Sequence, residues 1–324
     1  MGEGRRGPEE GKMTAAWYIF SFLVFPGFLF TLSAGLIAGW ADRKLTARIH
    51  WRKGPPWYQN FIDVAKLLFY KETLIPEGAS IAIFLGMPLI ALSTSTLVST
   101  ILFMVNGSPG TGFIGDLLAV IYLMMIPSIA LMLGGFSSGN VHASVGSSRE
   151  MKLILSYELP FILALIVPII KSGYAIKLGD MMMNQHANGL AILSVSGVLS
   201  FIAMLFCVQA KLGLVPFDMA EAETEIMAGP YTEYSGKALA VFKMVKAVMT
   251  VALPIFMVTV YFGGIKMSVP GVLTAILEYM VIILLMVLIK NTNPRLRIDQ
   301  AMRFFWGPVA GLALLSAVLA YFGW

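Results

Sequence analysis

The sequence predicts an all-α integral membrane protein, a bundle of about eight transmembrane helices with an amphipathic first cytoplasmic loop. Of its 324 residues, 58% are hydrophobic and 13% are charged, and the mean hydropathy is +0.80. The apolar residues form runs of about twenty, the length that a helix needs to cross roughly 30 Å of hydrocarbon. Such runs are too long for the strands of a barrel, the other structure that satisfies its backbone in lipid.

The expected spans are the apolar runs 14–40, 80–105, 114–136, 153–171, 190–210, 238–262, 271–290 and 305–323. A polar N-terminal tail, 1–13, precedes them, and we expect 14–324 to form a single transmembrane domain. The first run is too long for the core of a signal peptide, so we expect it to be retained. The longest connections between spans are the first, 41–79, and the fifth, 211–237.

Lysine and arginine concentrate in the odd-numbered connections, which eight spans would place on one side of the membrane. These residues are Arg43, Lys44, Arg48, Arg52, Lys53, Lys66, Lys71, Arg149, Lys152, Lys211, Lys237, Lys290, Arg295, Arg297 and Arg303. By the positive-inside rule, we expect these connections in the cytoplasm and both termini outside the plasma membrane. Orientation in the lipid bilayer therefore explains the net charge of +5, and no nucleic acid partner is expected.

The chain offers few residues that could hold a redox cofactor or a metal ion. The single cysteine, Cys207, excludes an iron–sulfur cluster held by four thiolates and an internal disulfide. His50, His142 and His186 lie in separate connections without ligand spacing, so no metal site is expected. Any redox cofactor must therefore belong to a partner.

The first connection contains an amphipathic segment. After Pro55 and Pro56, which can open a helix, apolar side chains recur at helical spacing through Phe61, Val64 and Leu68. Such a helix would lie along the membrane surface. It would act either as an interfacial anchor or as a docking floor for a soluble partner, and periodicity leaves both alternatives open.

The fifth connection is densely acidic, with Asp218, Glu221, Glu223 and Glu225 directly after a span. If the segment is helical, Asp218, Glu221 and Glu225 share a face, where like charges repel by about 0.2–0.5 kcal/mol per pair. Partial burial would raise the pKa of at least one carboxyl group, which suits a cluster that holds and passes protons. A solvated acidic loop is the alternative.

Ionisable side chains also lie within predicted spans, at Glu158, Lys243, Lys246 and Glu278. A charge at the centre of a transmembrane helix costs about 2.5–3.5 kcal/mol on insertion scales, so these groups should face the bundle interior and pair or be neutral. We expect a function for Glu158. The lysines can instead extend to the interface, and a role for Glu278 stays open.

Four motifs occur in order across almost the whole chain. They comprise Gly54, Pro55, Gln59, Asp63, Lys66, Lys71 and Glu72 in the first connection, Ser156, Tyr157 and Glu158 in the fourth span, Pro216, Phe217, Asp218, Glu221, Glu223, Glu225 and Glu233 in the fifth connection, and Arg295, Arg297, Asp299, Gln300 and Arg303 in the seventh. Together these motifs resemble the membrane-anchor, or H-type, subunit of the complex I and membrane-bound hydrogenase superfamily.

The resemblance implies a coupling subunit without catalytic residues, which links electron transfer to proton or sodium translocation. Its partners would be soluble iron–sulfur and catalytic subunits on the cytoplasmic side, and antiporter-like and small membrane subunits. Iron–sulfur clusters, and in a hydrogenase a NiFe centre, would belong to those partners. The implied proton-route residues are Glu158, Asp218, Glu221, Glu223, Glu225 and Glu233. The implied docking or structural residues are Arg52, Gly54, Pro55, Gln59, Asp63, Lys66, Lys71, Glu72, Arg295, Arg297, Asp299, Gln300 and Arg303.

Two departures from quinone-reactive members favour a ferredoxin-linked hydrogenase or sulfur reductase. Residues 53–56 lead directly to Gln59 and Asn60, without the repeated Arg-x-Gly-Pro-Asn element of those members. Lys246 and its neighbours stand where they have Gly-Glu-Tyr. The alternatives are the quinone-site subunit of NADH:quinone oxidoreductase and, in another class, a stand-alone secondary transporter, for which no internal repeat is evident.

Overall fold

The computed structural model describes residues 17–323, apart from the side chains of Thr111 and Glu223. The predicted polar tail therefore lies outside the described residues, as does the side chain of Glu223 that we placed in the proton route. The described backbone is 76% helix without strands, which confirms the predicted helical membrane bundle.

Within 17–323, seven helical stretches are long and apolar enough to cross a membrane, and a shorter apolar helix accompanies them. The first stretch, Trp17–Ile49, has a break at 24–27. The helices are α1 (Phe28–Ile49), α2 (Gln59–Phe69), α3 (Ile81–Gly107), α4 (Asp116–Ser137), α5 (Val141–Lys171), α6 (Leu178–Asn188), α7 (Val195–Lys211), α8 (Gly236–Tyr261), α9 (Val269–Thr292), α10 (Ile298–Phe304) and α11 (Ala310–Tyr321). A π-helical segment, Phe305–Val309, joins α10 to α11 and accommodates Pro308.

Several helices extend beyond the apolar runs that predicted them. The helix α5 begins at Val141 rather than at 153, so Glu158 lies near its middle and not close to its start. Likewise, α1 continues to Ile49, and the last span begins at Ile298 rather than at 305. These polar turns are helical because neighbouring elements pack on them. Hydropathy alone does not predict such packing.

The amphipathic segment of the first connection forms α2. Val64 is buried, Phe61 and Leu68 are half-buried, and all three pack with Leu36 of α1 and Met244 of α8. In addition, Asn60 of α2 donates a hydrogen bond to the Leu36 carbonyl oxygen at 2.8 Å. The apolar face of this helix is therefore covered by other helices of the same chain.

The helix α8 forms the centre of the bundle, and most of its residues are buried. It contacts α1, α2, α3, α7 and α9. The approach of α1 is closest at Gly35, where a Cβ atom would lie 2.0 Å from the Ala247 carbonyl oxygen. Only glycine fits there, because this distance is far below van der Waals contact.

The connection 211–235 crosses the end of the bundle at which α1, α4, α7 and α9 finish and α2, α5, α8 and α10 begin. We call this the connection end. Tyr234 stacks on Phe84 with ring centroids 4.2 Å apart and donates its hydroxyl to the Phe84 carbonyl oxygen at 3.1 Å. On the other side, Phe217 packs on Phe304 and Phe305. Aromatic contacts thus hold this irregular segment at both of its ends.

We predict that Gly35→Ala lowers the stability of the purified protein by about 1–3 kcal/mol, because the added methyl group forces α1 away from α8. The control is Gly86→Ala on α3, where a Cβ atom would meet nothing within 4 Å. Thermal unfolding in detergent measures both variants. Equal midpoint temperatures of unfolding in the two variants would show that α1 and α8 are not in close contact at Gly35.

Candidate functional site

The acidic connection does not place its carboxylates on one helical face. Its backbone is irregular from 212 to 222, and only Glu223–Ile226 forms a helical turn. The expected face of Asp218, Glu221 and Glu225 is therefore wrong. The segment is positioned by contacts with other helices, so each carboxylate turns toward a different neighbour.

Asp218, Glu221 and Glu225 each form an ion pair with a cation from another element. Asp218 pairs with Arg295 at 2.7 Å, and its side chain is only 11% exposed. Glu221 pairs with Lys246 of α8 at 2.8 Å, and the more exposed Glu225 pairs with Arg149 of α5 at 2.6 Å. The predicted mutual repulsion is thereby replaced by attraction between opposite charges.

The predicted proton-route residue Glu233 lies at the same end without such a cation. It is half-buried, and its carboxylate accepts a hydrogen bond from the Asn140 side chain at 2.5 Å. Asn140 caps the first turn of α5, so this contact ties the acidic connection to the start of that helix.

Glu158 forms a deeper ion pair with Lys211, the last residue of α7, at 2.9 Å. The Lys211 side chain is only 1% exposed. Its ammonium group lies 4.3 Å from the Phe161 ring centroid and 5.1 Å from that of Tyr157. A carboxylate and two aromatic faces thus replace the water that this cation loses.

Sequence reasoning missed Lys211 and Glu150 as members of this site. Lys211 follows an apolar run directly, so it was assigned to the basic residues of a connection. Glu150 lies on α5 two turns before Glu158, and it is only 8% exposed. The signal for Glu150 was its spacing from Glu158, which becomes visible once α5 is known to begin at Val141.

A cavity of about 630 Å³ lies beside the acidic connection, between α1, α2, α8 and α9. Its polar lining includes Asp42, Arg43, Lys243, Lys246 and Glu221. The volume falls within the range of about 300–1,000 Å³ that is typical of small-molecule sites. Lys243 thus lines this cavity, and it is not part of the ion pairs described above.

The wall of the cavity is held together by polar contacts between helices. Lys290 of α9 pairs with Asp42 of α1 at 2.8 Å, and Arg43 contacts Asp63 of α2 at 3.4 Å. Gln59 also donates a hydrogen bond to Asp63, at 3.0 Å. Three helices therefore meet through these side chains beside the cavity.

Glu278 is not brought to this site. It lies half-buried on α9, and the neighbouring charge that acts on it is that of Lys266 in the preceding connection. That connection lies at the opposite end of α9 from Lys290. The possible role of Glu278, left open by the sequence, is therefore separate from the ion pairs of the connection end.

The predicted docking residues divide into two groups. Gly54, Pro55, Gln59, Asp63 and Arg295 contact other parts of this chain; for example, Trp40 donates a hydrogen bond to the Pro55 carbonyl oxygen at 3.0 Å. The second group is exposed at the connection end and comprises Arg52, Lys66, Lys71, Glu72, Arg297, Asp299, Gln300 and Arg303. Among the described residues, no group of three or more His, Cys, Asp or Glu side chains could hold a metal ion.

Comparison with known proteins identifies relatives over almost the full length. A sequence model described as NADH dehydrogenase matches residues 21–321. The H-type subunit of the NADH-quinone oxidoreductase of Carboxydothermus hydrogenoformans is 32% identical over 312 residues, which are 91% of this chain and 86% of the relative. The corresponding protein of Syntrophotalea carbinolica is 31% identical, with 90% of this chain and 92% of the relative covered. Among solved structures, a chain of the membrane-bound sulfane sulfur reductase, an archaeal respiratory membrane complex, superposes with a TM-score of 0.84 and 27% identity, covering 94% of this chain and 99% of that chain.

We predict a coupling energy of about 1 kcal/mol between Asp218 and Arg295 in a double-mutant cycle, because Asp218 is largely buried although Arg295 is partly exposed. The cycle uses Asp218→Asn, Arg295→Gln and the double variant, with thermal unfolding as the measurement. The control pair is Lys177 and Asp180, which are more loosely associated at 3.9 Å, and for which we expect almost no coupling. Equal coupling in the two pairs would contradict an anchoring role for Arg295.

Proposed function

This chain belongs to the NADH dehydrogenase family and is a membrane subunit of an ion-pumping oxidoreductase complex; we propose that it is the H-type subunit that couples electron transfer in a docked soluble arm to ion translocation. In this role it carries no redox centre itself. Its carboxylates respond to the redox reaction at the connection end and pass protons, or a linked sodium movement, toward neighbouring membrane subunits.

The observation that carries this proposal is the series of ion pairs that leads from the connection end into the bundle. Asp218 pairs with the partly exposed Arg295, Glu221–Lys246 lies at the cavity, and Glu158–Lys211 lies between membrane helices. A structural ion pair deep in a membrane protein is costly, so its presence indicates a function. Carboxylates paired with lysines can also exchange protons when a nearby charge changes.

The soluble arm is proposed to dock at the connection end, which would face the cytoplasm of a plasma-membrane protein with both termini outside. The exposed group at this end is rich in cations, with Arg52, Lys66, Lys71, Arg297 and Arg303. Exposed arginines suit carboxylates on a soluble partner because the guanidinium group binds them with two parallel hydrogen bonds. Antiporter-like and small membrane subunits would cover part of the remaining lateral surface.

Iron–sulfur clusters, and a NiFe centre if the complex is a hydrogenase, are assigned to those partners. Cys207 is buried within the bundle and can supply at most one thiolate. A cluster needs several such ligands. This donor set therefore does not fit an iron–sulfur cluster, and no step of the proposal runs through one in this chain.

The leading candidate for the complex is a ferredoxin-linked hydrogenase or sulfur reductase. The two sequence departures in the first connection and at Lys246 support it, as does the likeness to the sulfane sulfur reductase chain over nearly its whole length. A stand-alone transporter, our alternative of another class, has no support from the relatives.

A second candidate is the quinone-site subunit of an NADH-quinone oxidoreductase, and the cavity of about 630 Å³ favours it. That volume was not anticipated from the departures in sequence. However, the Lys246–Glu221 ion pair and Lys243 make one wall strongly polar. A polar wall suits hydrated ions better than the apolar tail of a quinone.

The two candidates differ in their electron acceptor. We expect the purified native complex to transfer electrons from reduced ferredoxin to protons or polysulfide, with no reduction of a water-soluble quinone analogue. Hydrogen or sulfide release and quinone absorbance measure the products. The second candidate would instead be favoured if the complex reduced the quinone analogue rapidly and the cavity-filling variant Ala247→Phe lost this activity.

We predict that Glu158→Gln and Glu221→Gln lower ion translocation per electron by about tenfold or more, because each removes a titratable group at nearly constant volume. Electron transfer should persist and the complex should still assemble. The Glu158→Gln complex should unfold at a lower temperature, because the buried Lys211 loses its carboxylate partner. Ion uptake by inverted membrane vesicles measures the effect. The control is Asp180→Asn, a partly exposed carboxylate on α6. Unchanged translocation in both glutamate variants would rule out the proposed route.

A further inference from the structure

A second, smaller cavity of about 50 Å³ lies between the Glu221–Lys246 and Glu158–Lys211 ion pairs. Glu221 and Lys246 of the first pair and Lys211 of the second line it, so both charged sites reach this space. Its polar lining consists of Ser128, Glu150, Lys211, Glu221, Tyr231 and Lys246. Glu150 is the one carboxylate among them that the proposed route does not yet use.

The size and lining of this cavity suit water. One water molecule requires about 10–15 Å³ of accessible volume and two to four polar partners. The cavity exceeds that volume and offers hydroxyl, carboxylate and ammonium groups from several different elements. An apolar cavity of the same volume would remain dry.

Glu150 is buried, with only 8% of its surface exposed. Among the described residues, no cation lies within ion-pair distance of it. The Ser128 side chain on α4 is its hydrogen-bonding neighbour. Across the cavity, burial and then the charges of Glu221 and Glu150 raise the pKa of Tyr231 well above its usual value. The Tyr231 phenol therefore keeps its proton and can donate a hydrogen bond to water in the cavity.

A structural role alone does not account for this position. A buried carboxyl group that only filled space would be replaced at lower cost by an amide or an apolar side chain. Moreover, Gly213 leaves the cavity open beside the ion pair, since a Cβ atom there would lie 3.1 Å from Glu221 Oε1. The residues around Glu150 thus provide both polar side chains and an open space beside them.

We propose that Glu150, with water in this cavity, is a proton relay that connects the Glu221–Lys246 pair to the Glu158–Lys211 pair. The inference rests on the proposed function, since a relay needs a proton route on both sides. It adds a residue and a hydrated compartment that the family motifs do not include.

The relay step conserves atoms and charge. A water molecule on the Glu221 side transfers a proton to one oxygen of the Glu150 carboxylate, forming one O–H bond while its own breaks. The carboxyl group then releases a proton to water beside Lys211, from which it can reach Glu158. The first water regains a proton from the Glu221 side, so the net result is the movement of one proton.

The test compares Glu150→Gln, Glu150→Asp and Val245→Met in the native complex reconstituted into vesicles, with ion uptake and electron transfer measured together. Glu150→Gln should lower ion translocation per electron by about tenfold or more, and Glu150→Asp should restore a substantial part of it. Val245 also lines the cavity, so the longer methionine should displace water and lower translocation with every carboxylate intact. The control is Asp116→Asn, a fully buried carboxylate on α4 that accepts a hydrogen bond from the Leu178 amide at 2.8 Å, away from the cavity.

Redox-induced infrared difference spectra supply a readout that a structural role would not change. A carboxyl C=O band sensitive to deuterium should vanish in Glu150→Gln and persist in Asp116→Asn. Wild-type translocation in Glu150→Gln, while Glu158→Gln is impaired, would overturn the relay and leave the proposed function intact. Absence of translocation in the wild-type complex would overturn the proposed function itself. Equal loss of assembly in Glu150→Gln and Glu150→Asp would also overturn the relay and indicate a packing role.

Discussion

An ionised side chain in a membrane protein must find a partner, and this requirement organises the connection end of the bundle. Desolvation of a charge costs several kcal/mol, so an isolated Lys211 or Glu158 between helices would destabilise the fold. The structure meets the requirement by pairing residues from separate elements. Glu158 of α5 pairs with Lys211 of α7, and Glu221 of the acidic connection pairs with Lys246 of α8. Charge pairing, together with the aromatic contacts of Phe217 and Tyr234, therefore positions the irregular connection on the helices.

The same pairs link the fold to the function that we propose. Helix α8 is buried by close packing at Gly35, and this packing holds Lys246 beside both cavities. The acidic connection is fixed by Tyr234 and Phe217, which leaves Glu221 at the boundary between the two cavities. We propose that a redox-driven change in charge or position at the connection end reaches the two cavities through Glu221. From there, hydrated and buried carboxylates provide the onward path that we propose.

The sequence predicted the features that depend on local pattern. Hydropathy was sufficient for the helical bundle, and periodicity was sufficient for α2, whose Val64 is buried as expected. Glu158 was expected to be paired because a carboxylate within an apolar run is costly, and it pairs with Lys211. The pairings were not predictable, because Lys211 and Lys246 meet their partners only through tertiary packing. Glu150 was missed for a related reason: the polar first turns of α5 carry no hydrophobic signal, so the helix and its burial were both invisible.

The measurement that tests the central claim most directly is the number of ions moved per electron by the wild-type complex in sealed proteoliposomes. Reduced ferredoxin would be supplied outside, with simultaneous recording of product formation and of pH or sodium inside. If this chain couples the two processes, translocation should follow electron transfer at a fixed ratio and cease when electron transfer stops. Sustained electron transfer without ion movement across a tight membrane would contradict the account.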